Sequence, residues 1–324
     1  MITVVSVSPC VDYLLEVPGF MAGAHYRTEA ARMIAAGKGT NVYRALAHMT
    51  AQEDSSMRVG LCGFGDTALY APLLRGEGLL ADGLVPMHSI RVNVTVADPE
   101  SEAETHLKTP AAQIESEQRE MLVKKFDSSL AGSLVVVLVG SLPPGLEEDF
   151  YAFLVKRAKA KGVHTVLDAS GPAARCALEA GPTLAKPNRV EFSQFTGKAW
   201  DPRALDECLE FFGSKGVRYG VVSLGAKGAY LFADEQVMHC EPPEVEVVSS
   251  VGAGDVLVAG LAFDLAEHDR ITKEGFRRSV AFATQSVGTR LPAYFDYQEG
   301  LRLTDKVALR SNVVQTAGRA SQAD

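Results

Sequence analysis

The sequence predicts an α/β fold, a mostly parallel sheet covered by helices, on three observations. Short β-branched runs alternate with longer segments of helical period. Two glycine-rich turns, at residues 37–39 and 252–254, each precede a helical pattern. Two other stretches, about 12–34 and 86–109, break the rhythm and read as extra strands beside the main body.

The strands are expected at 4–7, 58–62, 134–139, 163–167 and 217–224. The run 134–139 is apolar throughout, as a parallel strand buried on both faces must be. After Gly39, residues Val42, Ala45, Leu46 and Met49 keep the i, i+3, i+4, i+7 spacing of one helix face. Val258, Leu261, Ala262 and Leu265 repeat it after Gly254. Further helices are predicted over 147–161, 202–215 and 273–287, and a strand over 244–248 leads into the second glycine turn. In the second irregular stretch, 90–96 alternates like a half-exposed strand, and the acidic residues 98–104 close a hairpin. No repeat or linker divides residues 1–324, so one domain is expected, ending in a small polar tail from 311 whose last residues are mobile.

Composition narrows the function. With 324 residues, 47% of them hydrophobic and 22% charged, the chain has ample material for a core. A formal net charge of -8 argues against nucleic acid or an anionic membrane as partner and favours a small molecule. Cys10, Cys62, Cys176, Cys208 and Cys240 are odd in number and widely spread, which fits a reducing cytoplasm rather than a disulfide framework. The N-terminal run has no basic leader, and no apolar stretch is long enough to span a membrane. There is no His-Glu-x-x-His pair, no Gly-x-Ser-x-Gly elbow and no Gly-x-Gly-x-x-Gly after the first strand.

Val251-Gly252-Ala253-Gly254-Asp255 is the most informative motif. Two glycines let successive N–H groups face one anion, and the dipole of the following helix adds positive charge there. A carboxylate in that first turn can accept a proton from a hydroxyl. On these residues alone, a plain helix start with Asp255 stabilising it is an equal reading. Gly37-Lys38-Gly39-Thr40-Asn41 is not a Walker A loop, because Gly39 stands where Ser or Thr must follow the lysine. Its glycines allow a sugar to approach the backbone while Asn41 reads hydroxyls, or it is an ordinary helix start. Asp12 is a second hydroxyl reader or a turn residue. Three loops directly follow apolar runs, where ligands bind in open α/β sheets. They are Gly140-Ser141-Leu142-Pro143-Pro144-Gly145, Lys186-Pro187-Asn188 with Glu191, and Ser223-Leu224-Gly225-Ala226-Lys227-Gly228.

Taken in order, these motifs resemble the ribokinase-like sugar kinases, and within them the phosphofructokinase B branch, from the first strand to about Arg290. The resemblance implies a three-layer Rossmann-like ribokinase fold with a small β-sheet lid built from the two irregular stretches. It makes Asp255 the catalytic base and the amides of Gly252, Ala253 and Gly254 the anion hole. Asp12, Gly37, Lys38, Asn41 and Ser141 would hold the sugar. Lys186, Asn188, Ser223, Gly225 and Gly228 would border ATP, while Asn188 and Glu191 would organise Mg²⁺ through water. Arg27 and Arg91 match positions where this branch places basic residues near a substrate phosphate, and arginine forks well onto phosphate. The expected reaction is ATP-dependent phosphorylation of a sugar phosphate, fructose 1-phosphate first and tagatose 6-phosphate or fructose 6-phosphate next. The alternatives are a kinase of a free sugar or nucleoside, or a catalytically silent sugar-phosphate sensor, and the resemblance also suggests a homodimer formed through the lid. Ala36 in place of a glycine and Cys10 in the segment before Asp12 depart from the family pattern, as do Leu69 after Gly65-Asp66 and the lack of an asparagine in 273–287.

Overall fold

Strands that read as unbroken apolar runs must be covered on both sides, and the computed structural model of the chain has that arrangement. It describes residues 1–28, 30–53, 55–101 and 103–313. In chain order the strands are β1 (Ile2–Ser6), β2 (Cys10–Glu16), β3 (Ala31–Ala36), β4 (Val59–Gly65), β5 (Leu84–Pro86), β6 (Arg91–Asp98) and β7 (Ala103–Leu107). There follow β8 (Val135–Val139), β9 (His164–Asp168), β10 (Leu184–Ala185), β11 (Tyr219–Ser223), β12 (Ala229–Ala233), β13 (Gln236–Glu241) and β14 (Ala308–Val313). The helices are α1 (Lys38–Gln52), α2 (Tyr70–Gly76), α3 (Ser116–Leu130), α4 (Phe150–Lys159) and α5 (Gly171–Glu179). They continue with α6 (Arg189–Thr196), α7 (Leu205–Ser214), α8 (Ala253–His268), α9 (Lys273–Gln285) and α10 (Tyr297–Thr304).

Ten strands form the main sheet in the order β14-β13-β12-β11-β10-β9-β8-β1-β4-β5. It is parallel from β5 to β11, and β12, β13 and β14 extend it in antiparallel fashion. Alternate residues of β8 serve two cores. Val135, Val137 and Val139 join the layer of α1, α8 and α9, whereas Val136 and Leu138 join that of α3, α4, α5 and α7. Enclosing each such side chain is worth roughly 1.5–3 kcal/mol, so a polar residue on either face would be costly. The expected three-layer body is therefore present.

The two irregular stretches supply a second sheet of four strands, ordered β3-β2-β6-β7. The pairing of β2 with β6 is parallel and sets Asp12 opposite Asn93. The β6–β7 hairpin closes where it was expected, with Asp98 opposite Ala103. The Asp98 carboxylate accepts from the Gly19 and Glu100 amides at 2.8 and 3.0 Å, which ties this turn to the segment between β2 and β3.

Three local expectations need correction. Residues 244–248 form no strand, because among the described residues no strand pairs with them; Val245, Val247 and Val248 are exposed, and the Val248 amide bonds to the Val287 carbonyl. Ser311 belongs to β14 instead of a tail, because β13 offers it a partner in Met238; the tail beyond 313 lies outside the described residues. The last predicted helix stops at Gln285 and passes into one tight turn, Ser286–Gly288. Among the described residues, no helix is long and apolar enough to cross a membrane.

Candidate active site

A cleft of ≈ 1100 Å³ opens between the carboxyl ends of the parallel strands and the inner face of the small sheet. At its floor, Gly252 adopts φ 89°, a left-handed conformation, and α8 starts at the next residue. A Cβ there would lie 2.6 Å from the Ala293 amide nitrogen, so both the turn and its packing require glycine. The Asp255 and Val256 amides turn back to the Gly252 carbonyl, while the Gly254 amide makes no backbone hydrogen bond among the described residues. Gly252, Gly254 and Asp255 all line the cleft.

Asp255 is 5% exposed and accepts a hydrogen bond from Asn41 Nδ2 at 2.8 Å on Oδ2. Burial raises its pKa to about 6; Lys38 opposes the rise, Asp168 adds to it, and Asn41 and Lys186 oppose it in turn. A carboxylate so tuned can take a proton near neutral pH, and among the described residues its Oδ1 accepts no hydrogen bond.

Lys38 opens α1 immediately after Gly37, whose φ of 106° and 3.0 Å approach of a would-be Cβ to the Ser8 carbonyl again demand glycine. Its ammonium lies 3.1 Å from Asp168 Oδ1, and Lys186 reaches the same oxygen at 3.4 Å. Burial works against the charge on Lys38, but Asp168, Asp255 and Glu191 outweigh it and raise the pKa. The second oxygen of Asp168 is buried without a partner.

The small sheet supplies the roof. Asp12 accepts from Asn93 Nδ2 at 2.9 Å, and Cys10 lies beside it with its thiol pushed up to about 12 by burial and by Asp12. A thiol held protonated in this way is a poor nucleophile. Arg91 donates to the Ser8 carbonyl at 3.4 Å through Nη2, and its Nε is buried with no partner among the described residues.

Ser141, Lys186, Asn188 and Ser223 line the cleft at the ends of their strands, as the position argument anticipates. Gly225 and Gly228 stand just beyond, in the tight turn after Ser223, and are not among the lining residues. A Cβ on Gly228 would collide with the Cys240 carbonyl at 1.9 Å, which explains that glycine by packing. Asn188 and Glu191 close a capping box at the start of α6: Asn188 Oδ1 accepts from the Val190 and Glu191 amides, and Glu191 Oε2 accepts from the Asn188 amide. Arg27 is exposed in the segment between β2 and β3, away from the cleft lining.

Asp168, Asn93, Arg32 and Arg290 line the cleft without having been singled out in the sequence. Asp168 carried a usable signal, since it follows directly on the apolar run 163–167 at a strand's carboxyl end. Asn93 sits two residues from Arg91 on a strand and so shares its face.

Among the described residues, no group of three His, Cys, Asp or Glu side chains converges as a metal cage. Of the two residues expected near Mg²⁺, Asn188 lines the cleft, whereas Glu191 is not among the lining residues and its Oε2 is taken by the Asn188 amide. So sparse a donor set would suit only an ion that keeps most of its waters and arrives on nucleotide phosphates.

A family model described as pfkB family carbohydrate kinase matches residues 1–294. The 1-phosphofructokinase of Rhodobacter capsulatus is 34% identical over 278 residues, covering 83% of this chain and 87% of that protein. The 1-phosphofructokinase of Xanthomonas campestris is 31% identical over 284 residues, covering 86% and 88%. A solved structure of phosphofructokinase-2 from Escherichia coli, in complex with substrates and products, superimposes with TM-score 0.82 at 26% identity, covering 94% of this chain and 98% of that one. With that match over nearly its whole length, the chain belongs to the pfkB family of carbohydrate kinases, enzymes that transfer a phosphoryl group to a sugar.

Proposed function

We propose that this kinase transfers the γ-phosphoryl group of ATP to a ketohexose that already carries a phosphate. Fructose 1-phosphate is the first choice, giving fructose 1,6-bisphosphate, followed by tagatose 6-phosphate and fructose 6-phosphate. The observation that carries this reading is Arg91, which faces the cleft of Asp255 with a buried Nε that lacks an acceptor. An unpaired buried donor is costly, and a phosphate oxygen would satisfy it with a charge-assisted bond. The names of the relatives support the same substrate class.

In this reading Asn41 occupies Asp255 Oδ2, which leaves Oδ1 to accept the proton of the sugar hydroxyl. The freed oxygen attacks phosphorus in line, and the bond to the bridging oxygen of the nucleotide breaks. The amides of Gly252 and Gly254 face the charge on the transferring group, and Lys38 and Lys186 stand close by. Ala253, expected beside them, does not line the cleft, and its amide turns to the Ser250 carbonyl at 3.4 Å. Asp12, Gly37, Asn41 and Ser141 hold the sugar. Asn188 and Ser223 border the nucleotide, with Gly225 and Gly228 shaping the turn beyond. When bound, Mg²⁺ neutralises phosphate charge, and Asn188 and Glu191 would hold it through water. The small sheet acts as a lid that excludes water. Met33, Tyr13, Val94 and Leu107 form one cross-strand row on the sheet; Val94 and Leu107 also border the cleft, so the support for pairing of two chains through the lid is the exposed Met33 end of the row.

Coupled ATP consumption over phosphorylated and free sugars, with and without Mg²⁺, tests the proposal. Fructose 1-phosphate should give the highest kcat/KM, and preference for an unphosphorylated sugar would overturn it.

A further inference from the structure

Arg44 lies on α1 at 5% exposure, and the mechanism above gives it no task. Its guanidinium nevertheless reaches three other segments as well as its own helix. Nε and Nη2 fork onto Glu77, just past α2, at 2.6 and 3.0 Å. Nη2 also donates to the Ala35 carbonyl at 2.6 Å, in the strand that runs into the Gly37 turn. Nη1 donates to Asn41 Oδ1 at 3.1 Å and to the Pro292 carbonyl at 3.3 Å. Pro292 in turn packs against Gly252, where a Cβ would come within 3.1 Å of it.

We propose that Arg44 is a positioning residue for phosphoryl transfer: it takes the carbonyl oxygen of Asn41 and so forces the amide nitrogen towards Asp255. The proposal rests on Asp255 being the base. An asparagine amide has a broad, nearly two-fold terminal torsion, so nothing in Asn41 itself selects which end faces the carboxylate. Arginine has only donors, and therefore accepts one orientation alone. The flipped amide would set its oxygen against the carboxylate and favour the protonated, inactive form of Asp255. Glu77 holds the guanidinium, and the Tyr294 ring lies 4.9 Å beneath it. Lys38, Lys186 and Asp168 are the charged groups that act on Asp255 from the other elements. Because a buried ion pair is weak evidence for stability, this geometry gives the pair a reason that stability does not.

The test uses full-length Arg44→Gln and Arg44→Lys, each also in an Asn41→Ala background, with Asp255→Asn as reference. Measurements are kcat, KM for ATP and for the preferred sugar phosphate, the pH profile of kcat/KM, and thermal melts. Arg44→Gln should lower kcat about 10–100-fold, move the acid limb of the profile upward by about one pH unit, and leave KM for ATP within about twofold. Arg44→Lys should restore part of the rate. In the Asn41→Ala background, Arg44→Gln should cost less than about threefold more, because its route to the base is already cut. Equal losses in both backgrounds, or an unmoved acid limb, would overturn the proposal. Should Arg44→Gln fail to fold, Glu77→Gln keeps the arginine while loosening its hold, and should move the limb in the same direction by less; no movement there would likewise overturn it. Failure of the base assignment shows separately, as an Asp255→Asn enzyme that keeps its rate.

Discussion

Lys186 holds its ammonium 3.4 Å from Asp168, and neither side chain is more than 4% exposed. Lys38 reaches the same carboxylate oxygen, so one acid anchors two cations at the edge of the cleft. Asp168 also raises the pKa of Asp255, whereas both lysines lower it. Asp168→Asn should therefore move the acid limb of kcat/KM to lower pH. It should also cost about 3 kcal/mol of stability, the usual scale for breaking a buried pair. Rate profiles and denaturant melts on one preparation check both signs.

Asp255→Asn separates chemistry from stability. The folded protein raises this carboxyl to about 6, above its ordinary value, so between those two values the fold binds the proton that the unfolded chain releases. The resulting stabilisation is full in acid and is lost as pH rises through about 6. At pH 7.5 the ionised, buried carboxylate costs about 3 kcal/mol. The asparagine variant should melt higher than the parent at pH 7.5, with the gain shrinking towards pH 4, while kcat falls by about a thousandfold or more. In the parent, kcat/KM should decline about tenfold per pH unit below 6.

The two glycines of the anion turn should answer differently to alanine. At Gly252 the left-handed φ and the 2.6 Å approach to Ala293 make the variant strained, by about 1–3 kcal/mol for the backbone alone. A Cβ at Gly254 meets only Lys186 Nζ, at 3.9 Å. Gly254→Ala should thus melt like the parent yet lose kcat, because its methyl group enters the space proposed for the phosphoryl group. Melting curves beside steady-state kinetics distinguish the two variants.

Arg91→Ala should raise KM for the sugar phosphate about 10–100-fold with a smaller effect on kcat, as expected when a charge-assisted fork is lost. Arg27→Ala should change KM less, since its side chain is exposed outside the cleft lining. Substrate titrations at fixed ATP decide the order.

The central strands and the two helices after the glycine turns were legible in the sequence because burial on both faces, and a 3.6-residue period, leave few other readings. Residues 244–248 misled because Glu and Val alternate there as in a strand, and pairing depends on a neighbour that the local sequence does not name. Strands β12, β13 and β14 were missed for the converse reason: short strands of five or six residues owe their state to the neighbours they pair with. Within the site, glycines and strand ends pointed to Asp255, Lys38 and Asn188. Arg44 was invisible, since a charged residue on a helix reads as solvent-facing until its partner Glu77 is known to fold against it.

Asn41 and Asp255 meet across 214 positions of chain, and Arg44 and Pro292 across 248. During synthesis, β1, β4 and β8 are made long before α8, so a chain stopped short of residue 253 lacks the proposed base. Contacts of such long separation form late, after local helices and neighbouring strands. Phosphotransfer should thus be among the last properties a refolding chain acquires, and chains ending before residue 253 should consume no nucleotide.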